Sequence, residues 1–374
     1  MVKHGNKTFA VLALLALPSS CFAGEGTTAA DYLNIDPSAR STAMGSAYAA
    51  AGDDAFSFFH NPAGLSLVNR TEIALSHVAW VESMHSEYGA VAVPLKNGFV
   101  AAAGGSYFSS GELDAVDSDG DTLGSYEYYG VSGGAALARR SGDLAFGLTA
   151  KTVREAMAGF SSSALAVDAG ALYFAGPVTL ALALQNYGGS VKLGSVAFDL
   201  PENFVAGAAW RYSPELLLST EYDKPAASGS SAREYAGAEY KLTGDNFMSG
   251  TFLRGGWNFN RDTGTGSGIT FGVGVIVGER YTLDYAMAPM GDFGTTQRMS
   301  LKIALGSNAE RSVSSSAASD TTSGTNTSPV LSSPENPVPE KKNKDSVEAA
   351  EADYRAGKIS IQELQKRLRE LGFE

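Results

Sequence analysis

The 374-residue chain has one cysteine, few histidines and no long hydrophobic run. Cys21 lies in an N-terminal segment that we expect to be removed, which excludes a disulfide and a thiolate metal site from the mature protein. His60, His77 and His85 would remain, and their spacing fits neither a metal site nor a histidine-centred catalytic site. No stretch has the roughly twenty apolar residues of a transmembrane helix, so strands must make any membrane span. The net charge of −12 argues against a nucleic-acid partner.

The N-terminus has the features of an export signal. A basic start precedes a short apolar run over 9–17, and Cys21-Phe22-Ala23 ends on a small residue suited to cleavage. We therefore predict a signal peptide at 1–23. Lipidation is an alternative, because the residues before Cys21 resemble a lipoprotein box whose leucine is one position too early.

Between Thr71 and Gly306 the sequence forms about fourteen short segments in which apolar residues alternate with small or polar ones. The clearest segment is 299–305, where methionine, leucine and isoleucine share one face and serine, lysine and alanine the other. This pattern predicts an all-β fold, a closed antiparallel transmembrane barrel with one face to lipid and one to a lumen. A soluble β-sandwich also alternates, so periodicity alone leaves both architectures open.

The lengths of the connections separate these two architectures. Every second connection is tight, as at Asn97-Gly98 and Gly176-Pro177, and the others are mostly longer and polar, as at 108–124 and 156–163. Outer-membrane barrels have short periplasmic turns and longer external loops, whereas a sandwich gives no such rule. We therefore predict a barrel over 71–306 in the cell outer membrane, with both termini on the periplasmic side.

The preceding segment, 24–70, is rich in alanine and glycine and does not alternate. Pro37 suits the start of a short helix and Gly52 suits its end. If the segment lay outside the barrel, its aromatic residues would face water. These residues are Phe56, Phe58 and Phe59. Because a fourteen-stranded barrel is wide enough to need filling, we predict that the segment is a plug in the lumen.

The plug sequence resembles a known family. The run 39–48, the pair Asp53-Asp54 and the block 61–65 (Asn-Pro-Ala-Gly-Leu) are similar to the start of PorV/PorQ-like proteins, which belong to the wider FadL-like group of outer-membrane barrels. The resemblance implies a non-catalytic, fourteen-stranded barrel with an N-terminal hatch. In FadL-like transporters the hatch moves to let a hydrophobic molecule pass, and in PorV-like members the barrel serves type IX protein secretion and surface attachment.

Two functions follow from the resemblance. The first is protein secretion or surface attachment, with secretion-system or cargo proteins as partners. The alternative is transport of hydrophobic small molecules such as long-chain fatty acids and hydrocarbons. Neither function requires a cofactor or a metal. The expected hatch or ligand-gating residues are Asp53, Asp54, Phe56, Phe58, Phe59, Asn61, Pro62, Ala63 and Gly64.

These hatch residues also admit a purely structural interpretation. Asn61 and Pro62 would then only fix the turn that seats the plug. The two aspartates would cap helices or pair with lumen arginines such as Arg139 or Arg154.

Two other patterns suggest chemistry only weakly. His77 and His85 lie near Ser83, Ser86 and Glu82, so an outer-membrane phospholipase or protease is an alternative that we do not favour. The acidic loop 117–121 has the oxygen spacing with which a calcium loop opens, but it lacks the expected glycine and distal glutamate. We expect a solvated acidic loop there.

The C-terminal part of the chain departs from a barrel pattern. Residues 307–344 are rich in serine, threonine and proline and predict a disordered linker. Residues 345–374 predict a small α-helical hairpin in the periplasm, with four apolar residues along one face of its last helix. That helix resembles the opening of peptidoglycan-binding repeats, so the expected partner of the hairpin is a periplasmic protein or the cell wall.

Overall fold

The computed structural model describes residues 28–193, 196–227, 230–242, 248–259, 268–278 and 280–306, together with Glu363 and Lys366. The chain divides into two compact units, Met1–Ser312 and Val313–Glu374, and all the described residues except these last two belong to the first unit. The predicted signal peptide, the linker and the C-terminal hairpin lie outside the described residues, apart from Glu363 and Lys366, which are helical.

The alternating sequence between 71 and 305 forms strands. Fourteen of the described strands close into one antiparallel barrel, in which β1 pairs with β16, and β7 pairs with β10 across a separate two-stranded hairpin, β8–β9. The strands are β1 Thr71–Ala79, β2 His85–Pro94, β3 Phe99–Val116, β4 Thr122–Ser141, β5 Leu144–Met157, β6 Phe160–Ala175, β7 Val178–Gly188, β8 Ser190–Leu193, β9 Val196–Asp199, β10 Asn203–Arg211, β11 Leu216–Pro225, β12 Arg233–Leu242, β13 Met248–Asn258, β14 Ile269–Val277, β15 Tyr281–Pro289 and β16 Thr295–Leu305.

The two faces of the barrel differ in polarity. Large apolar side chains point outward and are about half exposed, as for Leu182 at 52%, Phe271 at 58% and Met299 at 62%. Charged side chains on the inward face are buried, among them Asp168 and Arg254. This distribution is the reverse of that in a soluble domain, where charged residues are seldom buried and large apolar patches are rarely exposed.

The connections at one end of the barrel are tight, as predicted, whereas those at the other end are not all long. The tight turns after β2, β4 and β6 are found where they were predicted. The predicted loops 108–124 and 156–163 are wrong, because β3 to β6 continue through most of these residues and leave connections of only five and two residues. The apolar alternation does not reach these strand ends, because they consist mainly of serine, glycine and acidic residues.

The longest strands, β3 and β4, form a ribbon that continues beyond the barrel wall. They have 18 and 20 residues, whereas β1 and β2 have 9 and 10. Among the described residues, β2 pairs with β3 only as far as Ser109, and β5 pairs with β4 only as far as Tyr128. The ribbon beyond these two residues therefore has two unpaired edges.

The segment before the barrel contains short helices. These are 3₁₀ turns at Asp31–Asn34 and Pro62–Leu67 and the α-helices α1, Ala39–Ala43, and α2, Ser57–His60. A single helix from Pro37 to Gly52 was wrong, because Gly45 has φ +67° and Ser46 has φ +73°, which ends α1 after five residues. Among the described residues, no helix is long and apolar enough to cross a membrane.

The ends of this segment lie at opposite ends of the barrel. Its last residues lead into β1, where Thr71 pairs with Leu305 at the end that carries the tight turns. At its start, the Ala29 N–H donates to the Asp199 carbonyl oxygen, 2.9 Å away, at the end that carries the other connections. Residues 28–70, which we call the N-terminal segment, therefore run along the inside of the barrel from one end to the other.

Candidate functional site

Arg40 connects the N-terminal segment to the inward face of the barrel. It lies in α1, whose N-cap Ser38 accepts a hydrogen bond from the Ser41 N–H at 3.0 Å, and its side chain is buried. The Nε and Nη2 atoms of Arg40 donate to the two carboxylate oxygens of Glu239 on β12, at 2.7 and 3.0 Å. This bidentate pair is the strongest geometry for an arginine and a carboxylate.

The pair continues into a network on the barrel wall. Arg254 on β13 donates to the same Glu239 oxygen, Oε2, at 2.7 Å and to Asp284 on β15 at 2.7 Å. All of these side chains are buried. Removing one member would leave a buried charge without its partner, so the network holds the segment in one position.

Asp53 and Asp54 belong to the same network. Asp54 is 2% exposed and accepts hydrogen bonds from Lys302 Nζ at 2.7 Å and from the Tyr48 hydroxyl at 2.8 Å. Asp53 accepts one from Arg40 Nη1 at 2.5 Å. Asp53 therefore pairs with an arginine of the segment itself, and Asp54 pairs with a lysine of β16.

The predicted partners of the two aspartates, Arg139 and Arg154, were wrong. Arg139 points outward and lies over the ring of Phe99, 4.8 Å from its centroid. Arg154 is exposed on the outward face of β5. Both arginines lie on strands whose register places their side chains away from the lumen.

Burial and charge act in opposite directions on the ionisable groups of the segment. Burial by itself would lower the pKa of Arg40, but Asp53 and Glu239 raise that pKa well above its usual value. Burial by itself would raise the pKa of Asp54, but Lys302 and Arg40 bring that pKa below its usual value. Both groups are therefore charged at neutral pH and attract each other in a medium of low dielectric constant.

Asn61 fixes a turn and at the same time contacts the barrel wall. Its Oδ1 accepts a hydrogen bond from the Ala63 N–H at 3.1 Å, and its Nδ2 donates to the Ala49 carbonyl oxygen at 3.1 Å. Pro62 occupies the first position of the following 3₁₀ turn, where its lack of an N–H is harmless. Gly64 packs so closely on Gly52 that a Cβ atom would lie 2.6 Å from the Gly52 carbonyl oxygen.

Glycines of the barrel wall make room for this turn. A Cβ atom on Gly147 of β5 would lie 2.2 Å from the carbonyl carbon of Pro62, and one on Gly170 of β6 would lie 1.9 Å from Asn61 Oδ1. Real Cβ atoms do not approach so closely. The inward glycines of β5 and β6 therefore allow the turn at Asn61 and Pro62 to seat directly on the wall.

The phenylalanines of the segment face a different part of the wall. Phe56 and Phe58 are 1% and 2% exposed, and the Phe58 ring lies against Gly104 of β3. Phe59 is half-buried and meets the Phe58 ring and the Tyr88 ring edge-on, with centroids 5.0 and 5.4 Å apart. These contacts remove the aromatic cluster from water, which was the reason to expect it in the lumen.

The aromatic contacts continue toward the far end of the barrel. Tyr32 stacks on Phe108 of β3 at 6.1 Å, and Phe108 meets Tyr128 of β4 at 5.7 Å. The inward positions of β2, β3 and β4 between these contacts carry only alanine, valine, glycine, serine and tyrosine. The interior of the barrel therefore has an uncharged aromatic wall at β2 to β4, facing a charged wall at β11 to β16.

Sequence reasoning missed the barrel residues that hold the segment. Glu221, Glu239, Arg254, Asp284 and Lys302 bond to the segment or to each other. One signal was present in the sequence. Asp284 and Lys302 share the inward faces of β15 and β16 mostly with small residues, so the lumen register of these two strands was readable. Glu239 instead shares its face of β12 with Arg233, Tyr235 and Lys241. The sequence did not show which residue of the N-terminal segment each of these charges would contact, because that depends on how the segment folds.

The structure does not bring the candidate hydrolase residues together. His77 and His85 are on the outward face, whereas Ser86 is 1% exposed and points to the interior. His77 Nδ1 instead pairs with Glu87 Oε1 at 2.6 Å. A serine nucleophile must lie within hydrogen-bond reach of its base, and Ser86 is on the opposite side of the sheet from both rings.

The acidic loop at 117–121 uses its own backbone as hydrogen-bond donor. Asp117 Oδ1 accepts hydrogen bonds from the N–H groups of Asp119 at 3.0 Å and Asp121 at 2.9 Å. This is an Asx-type turn, in keeping with the expectation of a solvated loop. Within the part of the chain that the structure describes, no group of three or more histidine, cysteine, aspartate or glutamate side chains is placed to hold a metal ion.

Solved structures resemble this barrel. The CymD monoaromatic hydrocarbon channel matches with a TM-score of 0.50 and 12% identity over 72% of this chain and 96% of that one. A deltaS2 mutant of the TodX monoaromatic hydrocarbon channel matches with a TM-score of 0.50 and 12% identity over 71% and 96% of the two chains. At this identity the likeness shows a common barrel fold. No family model and no curated protein matches the sequence.

Proposed function

We propose that this protein is an outer-membrane channel of the FadL-like type for hydrophobic small molecules, and that the N-terminal segment is its hatch. The observation that carries the proposal is the uncharged aromatic wall at β2 to β4. It extends from Tyr32, Phe108 and Tyr128 at one end of the barrel to Phe58 and Phe59 deeper inside. A hydrophobic solute would leave water mainly against apolar rings at this wall, where the Tyr128 hydroxyl also donates a hydrogen bond to the buried Glu155 of β5.

The exterior supports a position in a membrane with lipid as the partner of the outer face. Most of the shorter strands have 9 to 11 residues, the length that a tilted strand needs to cross a bilayer. Exposed aromatic side chains lie near both strand ends, as expected of the two girdles of an outer-membrane barrel. At the tight-turn end these are Tyr173, Tyr212, Tyr240 and Tyr281, and toward the other end Tyr187, Trp257, Phe259 and Phe271.

The orientation follows from the turns. If the tight turns face the periplasm, β16 ends on the periplasmic side, and the tail after Leu305 begins there. The start of the N-terminal segment at Ala29 then lies toward the external end of the lumen, although β1 begins on the periplasmic side. The turn at Asn61 and Pro62 closes the lumen near the periplasmic end, where a gate would control exit.

The similarity to CymD and TodX supports the class of solute. Both are described as monoaromatic hydrocarbon channels, and both share the barrel fold with this chain. The proposed route out of the barrel passes the hatch. The β1–β2 ladder is continuous from His85 to Ala92 and the β2–β3 ladder from His85 to Pro94, so there is no lateral opening between these three strands. The hatch residues Asp53, Asp54, Phe59, Asn61 and Pro62 all lie in the N-terminal segment. The Arg40 network holds the two aspartates, the Ala49 carbonyl oxygen accepts from Asn61, and Phe59 packs on the rings of Phe58 and Tyr88.

Uptake of labelled hydrocarbon tests this function. Cells that lack their own hydrophobic-solute channels would express the full chain and take up radiolabelled toluene or oleate. We expect faster uptake than in cells with an empty vector, and several-fold slower uptake with Phe108→Gln, because an amide would interrupt the uncharged wall. Heat-modifiable mobility on unheated gels confirms that each barrel has assembled.

Phe160→Gln is the matched control. Phe160 lies at the β5–β6 turn and is 64% exposed, outside the aromatic wall, so this variant should transport at the wild-type rate. Uptake equal to that of empty-vector cells, with an assembled barrel, would refute the channel. Equal uptake by both variants would refute the role of the aromatic wall.

Protein secretion of the PorV/PorQ type is the second candidate. The β3–β4 ribbon favours it, because its two unpaired edges and exposed Val116 and Leu123 offer a protein a place to dock. Gentle extraction followed by mass spectrometry separates the candidates. A stoichiometric exported protein or secretion subunit would favour secretion, and bound lipophilic molecules without such a partner would favour transport.

Cell-wall or protein binding by 345–374 stays a prediction.

A further inference from the structure

Four rings form a row on the outward face of the barrel, one from each of β1, β2, β3 and β4. His77 stacks with His85 at 6.4 Å, His85 meets Tyr107 at 6.3 Å, and Tyr107 stacks with Tyr129 at 6.5 Å. The four residues lie toward the end of the barrel opposite the tight turns. The row therefore presents a broad aromatic platform at one edge of the apolar exterior.

Two carboxylates are bonded to this row. Glu87 pairs with His77 at 2.6 Å, and both side chains are about half exposed, at 50% and 52%. The Tyr107 hydroxyl donates to Glu127 at 3.4 Å. Aromatic residues are common at a membrane interface, but a carboxylate on a lipid-facing wall is costly unless donors meet it. An aromatic girdle thus accounts for the rings. Both carboxylates are met at Oε1, Glu87 by His77 and Glu127 by the hydroxyls of Tyr107 and Ser109, so Oε2 of each can accept a further hydrogen bond.

An apolar groove of about 890 Å³ lies next to the row on the same outer face. Its walls are apolar side chains of four strands, including Leu75, Val273, Leu283 and Met299. Glycines form its floor, because Gly89 and Gly105 both line the groove and pair with each other, and Gly89 also pairs with Leu75. The absence of side chains at these two adjacent outward positions creates the depression.

The two features are contiguous. His77, Glu87 and Tyr107 line the upper part of the groove and also belong to the ring row. A molecule that fills both must have an apolar chain and a headgroup that stacks on flat rings and donates hydrogen bonds to carboxylates. A saccharide does both, through its C–H face and its hydroxyls, whereas a phosphate headgroup would meet Glu87 and Glu127 as like charges.

We propose that the ring row and the groove together bind a glycolipid, with the saccharide on the rings of β1 to β4 and an acyl chain in the glycine-floored groove. The inference rests on the proposed membrane position of the barrel. It adds a specific lipid to the outer wall and is independent of what passes through the lumen.

The test uses the full chain in nanodiscs of phosphatidylethanolamine and phosphatidylglycerol that contain monogalactosyl diacylglycerol as a minor component. Native mass spectrometry after release from the nanodisc counts the lipids that each protein retains. We expect the galactolipid to be retained at about one per protein, well above its share of the bilayer. Retention in proportion to bilayer composition would overturn the proposal.

The sharpest test is a variant whose added side chain fills the groove. A Cβ atom on Gly89 meets only Leu75 Cδ2, at an ordinary 3.7 Å, so Gly89→Leu fits the fold and occupies the groove. We expect at least a tenfold loss of galactolipid retention. Gly255→Leu is the matched control, because Gly255 is also outward and has nothing within 4 Å of its Cβ position. Equal retention by the two variants would contradict the site.

The headgroup contact has its own pair of variants. Tyr107→Leu removes the central ring of the row, and Tyr281→Leu removes an exposed tyrosine at the other end of the barrel. Only the first should lose galactolipid. If both variants retain it, the saccharide does not stack on the row. A barrel that takes up hydrocarbon but retains no galactolipid refutes this inference alone, and the converse result refutes only the proposed transport.

Discussion

Arg40 shows how one side chain can determine where a whole segment lies. Arg40 is 6% exposed, and its guanidinium donates hydrogen bonds to carboxylates on the segment itself and on β12. A buried arginine is tolerated only where carboxylates satisfy it, and Glu239 and Asp53 lie on either side of it. The position of α1 against the wall is therefore specific and does not depend on apolar packing alone.

Replacing this arginine should loosen the N-terminal segment. Arg40→Met keeps much of the volume but leaves Asp53 without its partner and Glu239 with only Arg254. We expect a loss of about 3–5 kcal/mol in the free energy that holds the segment in place. Hydrogen exchange of 28–70 in the assembled barrel measures this loss. Arg139→Met, at an outward arginine, should leave exchange unchanged, and equal effects of the two variants would contradict the network.

The contacts of His60 predict a pH dependence. Burial lowers the pKa of His60, and the carboxylates of Asp36 and Asp54 offset only part of that effect. Because a released His60 takes up a proton more readily than the seated one, the stability of the seated segment is complete above the ordinary pKa of about 6.5 and falls as the pH drops below it. Hydrogen-exchange protection of 57–68 should therefore decrease between pH 7 and pH 5.

Two variants check the assignment to His60. His60→Phe keeps an aromatic ring against Tyr48, whose centroid is 5.0 Å away, and should abolish the change in protection between pH 7 and pH 5. His77→Phe replaces an exposed histidine and should retain that change. A pH dependence that survives in His60→Phe would assign it to another group.

At the scale of elements, glycine is what joins the segment to the barrel. The inward glycines of β3, β5, β6, β12 and β13 lie directly against the segment. Small inward residues were readable from the alternation of the strands. The sequence did not show which of these small residues would contact the segment, because the contact depends on the backbone path of 28–70. The ends of β3 to β6 were also hidden, since polar residues form strands when a hairpin continues into solvent.

Adding a methyl group at one of these glycines should displace the turn at Asn61 and Pro62. Gly147→Ala would place a Cβ atom 2.2 Å from the Pro62 carbonyl carbon, so the turn or the strand must shift. We expect faster proteolysis within 57–68 while the barrel keeps its heat-modifiable mobility. Gly255→Ala adds the same methyl group in open space and serves as control. Unchanged proteolysis in Gly147→Ala would show that the turn is not seated as described.

At the scale of the molecule, the reversed polarity of the barrel defines its surroundings. Large outward residues are half exposed, while aspartate, glutamate and arginine are buried within. Such a surface is unstable in water and suited to lipid. The interior is divided in turn, with charge at β11 to β16 and aromatic groups at β2 to β4, and the N-terminal segment contacts both sides.

An arginine scan of the exterior tests this arrangement. Leu182 lies in the middle of β7 and Tyr212 beside the tight turn that follows β10. In liposomes, Leu182→Arg should lower the free energy of unfolding by about 2–4 kcal/mol, and Tyr212→Arg by about 0–1 kcal/mol, because the cost of a charge depends on its depth in the bilayer. Chemical denaturation measures both values. Equal costs at the two positions would argue against a membrane span.

The sequence by itself determined the barrel, the number of its strands and the direction of most side chains. These follow from a period of two and from turn chemistry, which act between near neighbours in the chain. Only the tertiary structure decided that Asp53 and Asp54 meet Arg40 and Lys302, that the turn at Asn61 rests on Gly147, and that two outward glycines form the floor of one groove. Such contacts join residues far apart in the chain, and the register and path that create them are properties of the closed barrel.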